Sequence, residues 1–242
     1  MRSPVDYRRI EQAMARGTRD GAAAGELFAA AATVLEEVAS GRRALRAVRH
    51  PLGFLCLPVR REGDRGVCVH VFDEATAEPP ARLTTSPVHA HSWDLASCVL
   101  YGQVGNLRVR VRDDPERPTH RLFEVRSTAS VPCPADGSGD APAVDEIRPT
   151  PRLVSCAPGA EETGVAGGIY RLPAGEFHTT VVPPGTAAAT LLLGRSLPGR
   201  RDLTLGPVHG PAHRVVRQTC DAEQTARTAR TVLRRIDGHH CR

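Results

Sequence analysis

GGIYRLPAGEFHTTVVPPG, residues 167–185, sets a Pro-Ala-Gly turn between two short β-rich segments and places a histidine at the head of the second. The spacing is Gly167, five residues, Pro173, one residue, Gly175, two residues, His178. Proline presets φ and glycine tolerates the left-handed region, so Pro173-Ala174-Gly175 reads as a tight turn. It delivers His178 onto a strand, where Thr180 shares its face because alternate strand residues point the same way. One histidine on a strand carries little information by itself. What matters is whether other ligands meet it.

Upstream, SPVHAHSWDLASCVLYG (86–102) holds two more. His89 and His91 stand one residue apart, so on an extended segment both imidazoles reach the same point. A metal ion requires this, since imidazole nitrogens bind it at about 2.0–2.1 Å. Trp93, Asp94 and Leu95 follow, then a β-rich run from Ser97 to Tyr101 closed by Gly102.

Together the two stretches resemble the paired motifs of the cupin superfamily. The second motif, G(X)5PXG(X)2H, is met at each of those positions. Where the family often carries Asn four residues later, this chain has Val182. In the first motif, G(X)5HXH(X)3,4E(X)6G, His89, His91 and Gly102 fit, but Leu83 replaces the leading Gly and Leu95 the glutamate. The resemblance covers Gly53 to Pro198. It implies a mainly β fold, a cupin-type double-stranded β-helix (jelly-roll barrel), with N-terminal helices and a C-terminal helix added. It also implies one divalent metal ion on His89, His91 and His178.

The missing glutamate shapes the expected chemistry. Three neutral imidazoles leave the ion its full charge and three open positions, similar to the three-His iron site of the cysteine-dioxygenase-like branch. The resemblance thus favours Fe(II) and a mononuclear non-heme iron oxygenase of dioxygenase type, acting on a small molecule of specialised metabolism. Imidazole suits several transition metals, so Zn(II) or another ion stays open. Two alternatives remain: a zinc-dependent non-redox cupin (isomerase, lyase or N–N bond chemistry), and a non-enzymatic small-molecule-binding cupin. The Ser-x-His-x-Tyr run of cysteine dioxygenases has no counterpart in Thr190 to Gly194, so cysteine is not the expected substrate.

Ser97 and Val99 share parity with the two histidines, and Tyr170 has the parity to face inwards. Tyr170 and Ser97 are the candidate catalytic residues. A buried Tyr hydroxyl needs a partner, which a substrate or the backbone would equally provide. Trp93 is expected to wall the pocket. Thr180 and Arg108 are candidate substrate contacts, Arg108 as a carboxylate clamp unless it is simply solvated. Asp94 points outwards by parity and is a fourth ligand, a support behind one, or neither. Cys98 faces away and packs; His70 is near the site or a packed core residue.

Around this centre, residues 5–20 and 23–48 read as helices, the second from Leu27, Ala30, Ala31, Val34, Leu35 and Val38 recurring every three to four residues. GFLCLPV (53–59) and GVCVHVF (66–72) read as a hairpin, and the alternating segment 106–112 pairs in this reading with 121–126. Further strands are expected at 152–156, 168–172, 178–182 and 187–193. Residues 128–150, rich in Pro, Gly, Ala and Asp, read as a mobile insertion. Asp221 caps a last helix reaching about Ile236. The expected division is a helical cap over 1–50, a barrel over 51–215, and a C-terminal helix and tail over 216–242.

All 32 basic residues are arginine and Asn106 is the sole asparagine, a bias that suggests a GC-rich coding sequence. The net charge of +5 is therefore no sign of nucleic acid, since the arginines interleave with acids and aromatics to stack on bases are few. There is no apolar run long enough to span a membrane and no secretory leader pattern. Seven scattered cysteines without a CxxC suit a reducing cytoplasm. The expected partner is a small-molecule substrate, with no nucleic acid and no membrane. Because cupins often pair through their sheets, a homodimer is compatible with this reading.

Overall fold

Among the described residues, three helices cover one side of a two-sheet β structure. The computed structural model describes residues 6–17, 21–73, 83–127 and 143–240. The expectations for 1–5, 18–20, 74–82, 128–142 and the last two residues lie outside these. Helix α1 (Tyr7–Arg16) starts where the Asp6 side chain accepts from the Arg8 N–H, and it buries Tyr7, Ile10, Ala13 and Met14. Helix α2 (Gly21–Ala39) buries Ala23, Leu27, Ala31, Val34, Leu35 and Val38, the predicted stripe with Ala23 added and Ala30 only half-buried. It stops well short of residue 48, at Gly41, whose φ of 76° turns the chain out of the helix. Helix α3 (Ala222–His240) opens with a reciprocal cap. The Gln224 N–H reaches Asp221 Oδ1 at 2.6 Å, and the Asp221 N–H reaches Gln224 Oε1 at 3.0 Å.

The first sheet runs in the order β1 (Val48–His50), β2 (Phe54–Glu62), β3 (Arg65–Asp73), β11 (Ala187–Ser196), β5 (Trp93–Tyr101) and β9 (Ile169–Leu172). Its two faces differ by strict alternation. Leu55, Leu57, Val67, Val69 and Val71 are buried under the helices together with Cys98, Leu100 and Leu191. Phe54, Cys56, Cys68, His70 and Phe72 turn the other way, into the interior. Arg235 of α3 ties the helical layer down, pairing with Asp73 at 2.8 Å while lying over the Tyr101 ring.

The second sheet runs β13 (His213–Arg217), β8 (Ala143–Val165), β6 (Gln103–Asp113), β10 (His178–Val181), β4 (His89–Ala90), β12 (Asp202–Gly206) and β7 (His120–Ser127), and β7 pairs back to β8. Two expectations are corrected by β8. Residues 143–150 belong to this strand and not to an irregular insertion. The segments 106–112 and 121–126 do not pair with each other. β8 is long enough to take both, pairing with β7 up to Val154 and with β6 from Val154 onwards. Strands β12 and β13 were not expected from the sequence. At the β5–β6 junction Gly102 has φ 77°, and a Cβ there would lie 2.2 Å from the Ala187 carbonyl oxygen, so only glycine fits this turn. Among the described residues, no helix is long and apolar enough to cross a membrane.

Candidate metal centre

The second sheet brings the two sequence stretches side by side. On β4, His89 is paired across the ladder with His178 of β10 on one side and with Thr204 of β12 on the other. Two further bonds tie the turn before His178 to the segment after His89. The Gly175 N–H donates to the His91 carbonyl at 2.8 Å, and the Ala174 N–H donates to Asp94 Oδ1 at 2.9 Å. Gly175, at φ 84°, supplies the left-handed residue that this turn requires. Asp94 therefore holds the turn and is not part of the ligand cluster.

His89, His91 and His178 converge. Ring centroids are 4.7 Å apart for His89–His91, 4.5 Å for His89–His178 and 5.1 Å for His91–His178. Their ligand nitrogens all lie within 4.8 Å of one another. His89 Nδ1 is 2.8 Å from the Pro87 carbonyl oxygen, and His178 Nδ1 is 3.1 Å from that of Glu176. A carbonyl only accepts, so each Nδ1 carries the proton and each Nε2 presents its lone pair. The ring of His91 lies 4.3 Å from that of Trp93.

Burial keeps the imidazoles neutral, the form that binds metal. It pushes His178 down to about 3, with the charge of His89 adding to the effect. It holds His91 well below the usual histidine range, helped by His89 and His178. It also lowers His89, against the bond to Pro87 and the negative charge of Asp202. Leu95, at the place of the family's glutamate, is buried against Leu172 and Leu192. No carboxylate joins the cluster among the described residues.

A cavity of about 1000 Å³ opens between the sheets and is lined by all three histidines. Trp93, Tyr170 and Thr180 line it as well. Trp93 fits because its indole packs over Gly194 of β11, where a Cβ would sit 2.9 Å from the ring. Thr180 donates to Asn106 Oδ1 at 3.2 Å. Ser97 is fully buried beside Tyr170, across the β5–β9 ladder, and does not line the cavity. Burial raises the Tyr170 hydroxyl, while Ser97, Thr190 and Asn106 act in the opposite sense. These neighbours are close without closing a network: Ser97 Oγ, Thr190 Oγ1 and Asn106 Nδ2 have no hydrogen-bond partner.

Arg108 does not line the cavity either. It lies opposite His178 in the β10–β6 ladder, but its guanidinium is taken by Glu176, by Glu162 at 3.3 Å and by the Arg171 carbonyl at 3.3 Å. Cys98 packs under the helices, where burial pushes its thiol up to about 12.

A second cluster was missed from the sequence. Cys56, Cys68 and His70 also bring their ligand atoms within 4.8 Å of one another, and all three line the cavity. The signal was present in CVH at 68–70, an i, i+2 pair like the two histidines at 89 and 91. The β2–β3 hairpin sets Cys56 opposite His70. A hydrogen bond from Cys56, and another from His70, pull the Cys68 thiol down to about 5 in spite of burial.

The structure is thus a mainly β protein with flanking helices and with His and Cys clusters able to chelate a metal ion. A scan of family models and a search of curated proteins each found no match to this chain, so the likeness to cupins rests on the two motifs alone.

Proposed function

We propose that this protein is a metal-dependent enzyme of cupin type that holds Fe(II) on His89, His91 and His178 and oxygenates a small molecule. The observation that carries this reading is the convergence of three neutral imidazoles on one cavity, with Leu95 where a carboxylate ligand would stand. The donor set fits the ion, since two of the three Nδ1 protons are already committed to backbone carbonyls, which leaves the Nε2 atoms of His89 and His178 to bind. Bound there, Fe(II) would supply the redox step. In a dioxygenation both oxygen atoms enter the product and the substrate provides the electrons, so no external reductant is required.

The chain's own groups bind and orient. Trp93 forms the wall beside His91, and Thr180 offers a hydroxyl next to His178. Tyr170 is the proton-bearing group at the cavity surface, with Ser97 behind it as a positioning residue. Arg108, bound to Glu176, fits support of the turn before His178 better than contact with substrate. A jelly-roll barrel over residues 51–215 agrees with the ladder that runs from β8 through β6, β10, β4, β12 and β7 back to β8. None of the five described cysteines forms a disulfide, as a cytoplasmic setting would keep them.

Imidazole ligands alone also suit Zn(II), which would act as a Lewis acid without redox change. Metal analysis of tag-free protein, together with oxygen uptake, separates the readings. Iron with oxygen consumption in the presence of a turned-over small molecule is the expected result. Stoichiometric zinc on the three histidines and no oxygen uptake after iron loading would sink it.

A further inference from the structure

Facing the three histidines from the first sheet, the β2–β3 hairpin carries a different donor set into the same cavity. Cys56 and His70 are directly paired across the ladder, and Cys68 stands two residues before His70 on the same face. In an antiparallel hairpin both relations bring side chains together without any distortion of the backbone. The outcome is two sulfurs and one imidazole with their ligand atoms within 4.8 Å of one another, on paired strands, neither sulfur being in a disulfide. The flanking Leu55, Leu57, Val67, Val69 and Val71 lock the hairpin from behind. Phe54 packs over the His70 ring at 4.7 Å and fixes its orientation.

We propose that Cys56, Cys68 and His70 form a second metal site, one that takes Zn(II). Two thiolates and an imidazole are a soft set, and soft donors select zinc over iron. Charge points the same way. Two thiolates neutralise a dication as it enters a largely apolar cavity, whereas the three histidines leave it whole. Three protein ligands leave one position of a tetrahedral ion, and that position belongs to water or to a molecule in the cavity. The single space between the sheets thus holds two sites of opposite preference. Either site can exist without the other.

The test uses Co(II) as a spectroscopic stand-in for zinc, added to reduced, metal-free, full-length protein. A sulfur-to-cobalt charge-transfer band in the near ultraviolet is expected. It persists in His178→Ala, disappears in the double variant Cys56→Ser, Cys68→Ser, and needs roughly 100-fold more cobalt in His70→Ala. An unchanged far-ultraviolet circular dichroism spectrum shows that the double variant is folded. The wild-type chain gives an independent readout, since Zn(II) is expected to protect Cys56 and Cys68 from alkylation but not Cys156. Absence of the band in wild type, its survival in the double variant, or alkylation of Cys56 and Cys68 unaffected by Zn(II) would each overturn the proposal.

Discussion

The two faces of the hairpin β2–β3 are built from adjacent residues and have opposite chemistry. Leu55, Leu57, Val67, Val69 and Val71 meet the helices as dry aliphatic packing. Phe54, Cys56, Cys68, His70 and Phe72, the residues in between, meet the cavity with rings, thiols and an imidazole. Because a strand alternates, one face can be optimised for stability while the other is kept for chemistry, and a single-residue slip in register would exchange them. The second sheet shows the chemical side of the same division in His89, His178 and Thr180.

Substitutions should therefore separate cleanly. The largest expected effect is that of His178→Ala, which removes one of three imidazoles. It should abolish measurable Fe(II) binding at the three-histidine cluster in anaerobic dialysis while leaving the far-ultraviolet circular dichroism unchanged. Leu57→Ala, on the helix-covered face, should do the reverse. A buried leucine cut back to alanine costs about 2–5 kcal/mol, read from urea denaturation, and metal affinity should stay as in wild type. If Leu57→Ala weakened metal binding as much as stability, the two faces would not be independent.

Acid sharpens the comparison. In the unfolded chain His178 takes a proton near 6.5, but in the folded chain only near about 3. Between these values the unfolded chain binds more protons, so the metal-free protein should lose stability as pH falls from 6.5 towards 3. His91 and His89, lowered in the same direction, add to the slope. His178→Ala should flatten this acidic limb in thermal melts. Leu57→Ala should displace the whole curve and leave its shape alone.

The smallest effect concerns Asp94. Asp94→Ala removes the carboxylate that accepts from the Ala174 N–H but leaves the Gly175–His91 bond in place. It should weaken metal binding by roughly 10-fold, the scale of a lost supporting contact, with a stability change of at most about 1 kcal/mol. A carboxylate acting as a ligand would instead cost as much as His178→Ala.

How much of this could be read from the residues follows from the range of each signal. The His89–His91 pair, the turn before His178 and the stripe of α2 are local patterns, and the structure keeps all three. Parity also placed Cys98 on the packing side and Asp94 outside the ligand cluster. Partner choice between distant strands is another matter. β8 contains Pro149, Pro151 and Pro158, which break the usual strand pattern, so its length was hidden and β6 and β7 were paired with each other instead. The cluster of Cys56, Cys68 and His70 has no CxxC spacing to announce it, because the hairpin assembles its ligands across the ladder. Arg108 has the right position next to His178, but Glu176 claims it, and no spacing rule could foresee that ion pair.

The central claim is that three histidines alone hold the reactive metal. Anaerobic Fe(II) binding to the tag-free Cys56→Ser, Cys68→Ser protein, with and without His178→Ala, tests it most directly. One Fe(II) per chain is expected in the double variant and none once His178→Ala is added. Equal binding by both proteins would contradict it.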